Sequence, residues 1–72
     1  MSRLKEMLRT SAQADKAKAL LSLELLDVKS VGIGDHSTTD FYNNAEEALR
    51  MLIDADDRLK AIDEYFTIKS VI

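Results

Sequence analysis

The chain has 72 residues, 46% of them hydrophobic and 32% charged, with a net charge of −3 and no cysteine, proline or tryptophan. That length holds one small domain, or part of one shared with a partner, and a domain of this size buries only about 60% of the surface its unfolded chain exposes. Without cysteine, disulfides and thiolate zinc sites are excluded, which leaves oligomerisation or a metal on other ligands to support a thin core.

Charge is uneven along the chain. Residues 1–30 hold six Lys/Arg and four Asp/Glu, for +2; residues 31–72 hold four and nine, for −5; the two sum to the net −3. Binding to a polyanion needs a clear excess of basic residues, so no nucleic-acid partner is expected.

The first predicted element is a helix over about residues 3–31. Ala, Leu, Lys, Glu, Arg and Met dominate residues 3–26 and favour helix. Leu4, Met7, Ala14, Leu21, Leu25 and Val28 keep a helical phase, with Ser11 and Lys18 in the two remaining positions of the row and Leu8, Ala17 and Leu20 broadening it. Lys18 can lay its methylenes along an apolar surface and keep its ammonium in water. A strand over residues 21–33 competes, because "LSLELL" alternates and "DVKSVGI" is β-branched. The apolar patch "ALLSLELL" contains Glu24 and is too short to span a bilayer. Glu6 and Asp15 argue against a transit peptide. No membrane partner is expected, and the expected compartment is the cytoplasm, or that of a host cell if the chain is virus-encoded.

The break at residues 32–37 concentrates the chemistry: "SVGIGDHSTTD" contains both glycines and the only histidine. "GIGDHS" differs from a dinucleotide fingerprint because Ser37 replaces the third glycine, and 72 residues leave no room for the doubly wound sheet the fingerprint requires. Asp35, His36 and Asp40 are weak candidates for a metal site, since tetrahedral zinc needs three or four converging groups. A hinge explains more. Gly32 would follow the helix end in a left-handed conformation, Ile33 would contact Val28, and Gly34 would let the chain reverse. Ser37 would cap the next helix, with Asp40 returning a hydrogen bond from its first turn or itself acting as the cap. His36 has no assigned role in that reading.

The second predicted helix, about residues 38–67, carries the clearest pattern. Phe41, Ala45, Ala48, Leu52, Ala55, Leu59, Ile62 and Phe66 are spaced alternately four and three apart, a seven-residue repeat suited to knobs-into-holes packing. "DADDRLKAIDEY" fails as a calcium loop, because Arg58 stands at the fifth ligand position, Leu59 at the required glycine and Tyr65 at the twelfth position. "ELLDVKSV" and "EYFTIKSV" echo each other and read as helix C-terminal turns with a lysine near the negative end of the dipole. "TIKSVI" forms a short C-terminal tail.

Two helices of about 28 to 30 residues would each be roughly 43 Å long. Joined by one short break, they give an all-α antiparallel helical hairpin as a single domain over residues 1–72. Two helices cannot bury two broad apolar stripes alone, so a dimeric four-helix bundle is expected. Its oligomer seam would use the eight second-helix residues above together with Met7, Leu21, Leu25 and Val28.

No nucleophile–base pair in a concave site is evident, so the chain is expected to be neither an enzyme nor a cofactor binder. The leading function is a small homo-oligomeric interaction protein: an adaptor, inhibitor or assembly factor, whose partners are itself and another protein met by Glu46, Glu47, Asp54 and Asp57. The alternatives are a ligand or metal module at the Gly32–Asp40 turn, and a lipid- or RNA-surface binder using Arg3, Lys5, Arg9, Lys16 and Lys18.

Overall fold

A computed structural model describes residues 2–29 and 38–66, and it consists of two helices, α1 (Arg3–Lys29) and α2 (Thr38–Phe66). The hinge residues, among them Gly32, Gly34, Asp35, His36 and Ser37, lie outside the described residues, as does the tail 67–72. Ser2 caps α1: its Oγ accepts a hydrogen bond from the Lys5 amide at 3.1 Å, and its carbonyl accepts one from the Glu6 amide at 3.1 Å. Lys29 sits in the last turn, where a cation meets the negative end of the helix dipole. Residues 21–29 are helical, so the brief alternation in "LSLELL" does not make a strand. α2 carries Asp40 in its first turn, at the positive end of its own dipole.

The helices, 27 and 29 residues long, measure about 41 and 44 Å at the usual rise. They pack against each other, and three ion pairs set the direction and register. Arg9 meets Asp63, Asp15 meets Arg58 and Lys16 meets Asp56. One residue number rises as the other falls, so the helices are antiparallel, and facing residues have numbers that add to 72 or 73. The fold is an all-α helical hairpin.

The centre of the contact is built from small side chains. Among the described residues the buried core is Ala12 and Ala19 from α1 with Ala48, Ala55 and Ile62 from α2, and no large side chain is fully buried. Ala12 and Ala19 are seven residues apart, as are Ala48 and Ala55, so each pair repeats on one side of its helix after two turns. At the register of the ion pairs, Ala19 lies level with residues 53–54, between Leu52 and Ala55, and Ala12 lies between Leu59 and Ile62. Alanines at the contact line let two helix axes approach closely. The larger residues beside that line are then covered from one side only.

All eight residues of the apolar row of α2, Phe41 to Phe66, are buried or half-buried toward α1. In α1 the inward row is Leu8, Ala12, Asp15, Ala19, Ser22 and Leu26, again spaced four and three apart and all buried or half-buried. It lies one residue C-terminal to the row read from the sequence, a rotation of about 100°. Met7, Leu21, Leu25 and Val28 are therefore not at the α1–α2 contact; they are 52% to 69% exposed. The physical reason lies at mid-helix. The larger row has Lys18 at its centre, and an ammonium pressed between two helices without a partner is costly. The row that faces α2 has Asp15 there instead, at the edge of the contact and bonded to Arg58 at 2.7 Å.

The chain exposes 5647 Å² of surface. A compact monomer of 8.1 kDa exposes about 4,500 Å². No helix among the described residues is long and apolar enough to cross a membrane.

Candidate functional site

Helix geometry divides the hairpin surface into two flanks and the outer side of α2. On the first flank, Arg58 lies between two carboxylates: its guanidinium donates to Asp15 at 2.7 Å and to Asp54, one turn earlier in its own helix, at 3.0 Å. The hydrogen bond to Asp15 is the largest of the influences that raise the pKa of Arg58 above its ordinary value. This triad sits midway along the rod, with apolar ground on both sides of it. Toward the open end, a groove of about 260 Å³ is lined by Leu8, Ser11, Ala61, Ile62, Tyr65 and Phe66, with Arg58 at its edge. Toward the turn, a second groove of about 350 Å³ includes Leu25, Leu26, Ala48 and Met51 with Glu47 and Lys29. Both grooves are open to solvent. The exposed row of α1, from Leu4 through Met7, Leu21 and Leu25 to Val28, runs along this same flank.

The second flank carries two further cross-helix ion pairs, Arg9–Asp63 and Lys16–Asp56, each at 3.0 Å. Beyond them, toward the turn, Leu20, Leu49 and Ile53 are about half exposed. Tyr42 continues that side, its ring edge-on to Phe41 with centroids 5.8 Å apart.

Glu46, Glu47, Asp54 and Asp57 are all exposed and span about 100° of α2: Glu46 and Asp57 lie opposite α1, while Glu47 borders the groove beside Leu25 and Asp54 belongs to the Arg58 triad. They are not all unpaired: Glu46 lies 3.6 Å from Arg50, and Asp54 bonds Arg58. The basic residues of α1 do not form one face. Lys18 falls on the first flank, Arg9 and Lys16 on the second, where both are already paired with aspartates. Of the metal candidates, Asp35 and His36 lie outside the described residues, and Asp40 is exposed at the start of α2. No group of three or more metal-ligating side chains occurs among the described residues.

Sequence reading missed the contact alanines of α1, Ala12 and Ala19. The signal was present: two alanines seven apart in each half of the chain, in helices of matching length. Ranking positions by side-chain size rather than by fit hid it. Comparison of this chain with protein-family models, with curated proteins and with solved structures finds no match to any of them.

Proposed function

We propose that the chain is a small homo-oligomeric helical interaction protein, an adaptor, inhibitor or assembly factor, that works by presenting helical surface to itself and to another protein. One observation carries this reading. Among the described residues the core consists of four alanines and one isoleucine, while ten large apolar side chains stand between 47% and 69% exposed. Burying a leucine or methionine side chain fully is worth about 1.5–3 kcal/mol. A lone hairpin forgoes most of that gain along its whole length, and a dimeric four-helix bundle recovers it. The two grooves are shallow and open, a form suited to receiving side chains from a neighbouring helix rather than enclosing a substrate.

The outer side of α2 is the surface proposed for the second protein. Of its acidic residues, Glu46 and Asp57 point away from α1 and remain available when the first flank is covered, with Glu47 and Asp54 at the border of that flank, and together they steer a basic partner surface into place. The test pairs the native chain with a variant in which Glu46 and Asp57 are changed to lysine, leaving Glu47 of the first-flank groove and the Asp54–Arg58 bond untouched. Both are used as bait in extract from the native host, after circular dichroism and light scattering show equal helicity and mass. The expected result is a protein captured by the native chain and lost with the variant. Capture of the same proteins by both, or of none by either, contradicts the reading.

A further inference from the structure

We infer that the first flank is covered by a second copy of the chain, with α1 antiparallel to the partner's α1 and α2 antiparallel to the partner's α2, about a two-fold axis at the level of residues 16 and 56. This deepens the homo-oligomeric reading and rests on it.

The argument starts from register. Lys16 bonds Asp56 at 3.0 Å, so these residues mark one level of the rod. The exposed row of α1 is symmetric about residue 16. An antiparallel partner sets Leu4 opposite Val28, Met7 opposite Leu25, Ser11 opposite Leu21 and Ala14 opposite Lys18. The same axis makes the first-flank positions of α2 symmetric about residue 56, with Asp54 opposite Arg58 and Met51 opposite Ala61. Both helices are thus satisfied by one operation, as an isologous interface requires.

Chemistry follows the same pattern. The flank carries its large apolar side chains toward both ends, with Glu47 and Lys29 beside them at the turn end, and a charged cluster in the middle, so the rotation lays each apolar stretch of α1 on the other one. The charged middle holds Asp15, Asp54, Arg58 and Lys18, two of each sign. Asp15 and Asp54 share Arg58, which leaves one negative charge over. Lys18 makes no ion pair among the described residues. The rotation brings Lys18 to within one residue of the level of the second copy's Asp15, and Asp54 to the second copy's Arg58, so the excess charges of the two copies meet as opposites. The competing face-to-face arrangement lays α1 over the other copy's α2. It sets Leu21 level with Met51 and Lys18 level with Asp54, but it opposes Leu25 to Glu47 and Val28 to Asn44, where the inferred rotation gives these two Met7 and Leu4 and leaves Glu47 level with Tyr65.

The area is of the right size. Leu4, Met7, Leu21, Leu25, Val28 and Tyr65 are each more than half exposed. Together they offer on the order of 600 Å² of apolar surface, and the groove walls add to it, against about 800 Å² per partner in a standard interface.

The chain has no cysteine, so a single spin label can be placed without background by the exposed substitution Glu6→Cys. The inferred arrangement separates the two labels by twenty residues along the rod, about 30 Å. Light scattering on the labelled chain, followed by electron–electron distance measurement, should show a dimer with a label separation above about 30 Å. A dimer with labels closer than about 25 Å, as in α1 over α2, overturns this inference and leaves the homo-oligomeric reading standing. A folded monomer with no inter-label distance overturns both.

Discussion

In α2 the small and the large apolar residues share one row, so the side that packs is the side a period count finds. In α1 they are divided between two neighbouring rows. Alanines, with Leu8 and Leu26, take the contact with α2, and the larger row from Leu4 to Val28 is left on the flank. Fit at the contact line and freedom from a buried ammonium outweigh raw side-chain size. The difference teaches that an apolar row is evidence of burial against something, and the occupant is decided by which row lets two backbones meet.

The comparison can be broken most forcefully at the contact line. Ala55 is fully buried, and Ala55→Asp places a carboxylate at a contact closed to water. Loss of helical circular dichroism at 25 °C is the expected result; a native spectrum would mean that Ala55 does not face α1. Ala19 and Ala17 then offer a matched pair within α1, the first buried and the second exposed on the side away from α2 and from the first flank. Ala19→Leu overpacks the contact and should cost about 1–3 kcal/mol, whereas Ala17→Leu should leave the chain as stable as before. Equal melting temperatures for the two variants would erase the distinction between the rows.

A smaller effect on the hairpin, but a decisive one on assembly, is expected from Leu25→Asp. The side chain is 52% exposed within one chain, so helix–helix packing should persist while the mass of the particle in solution halves at low micromolar concentration. Unchanged mass would show that α1's outer row covers nothing. The smallest change is expected from Arg9→Gln. Its ion pair with Asp63 is largely exposed, worth under about 1 kcal/mol, and the loss should vanish in 1 M salt.

The all-α hairpin was legible because its evidence is spread over many residues. A repeat of seven runs without interruption from Phe41 to Phe66, and the chain has no proline or glycine outside the break. Antiparallel packing followed from two helices of matching length. The phase of α1 was not legible, because a count of large residues favours Leu4, Met7, Leu21 and Leu25 over Ala12 and Ala19, and only the cross-helix pairs of Asp15, Lys16 and Arg9 reveal the rotation. The Arg58 triad was equally hidden, since it joins residues 43 positions apart. The acidic group at Glu46, Glu47, Asp54 and Asp57 was visible as a helical cluster, but its pairing with Arg50 and Arg58 needed side-chain geometry.

The central claim is that this hairpin keeps a row of large apolar side chains outside its own contact because another chain covers it. Light scattering of the purified chain, read across a concentration series with circular dichroism on the same samples, tests it most directly. The account predicts a helical particle of twice the 8.1 kDa chain mass that loses mass and melting temperature together on dilution. A cooperative, fully helical particle of 8.1 kDa with a melting temperature independent of concentration would contradict it.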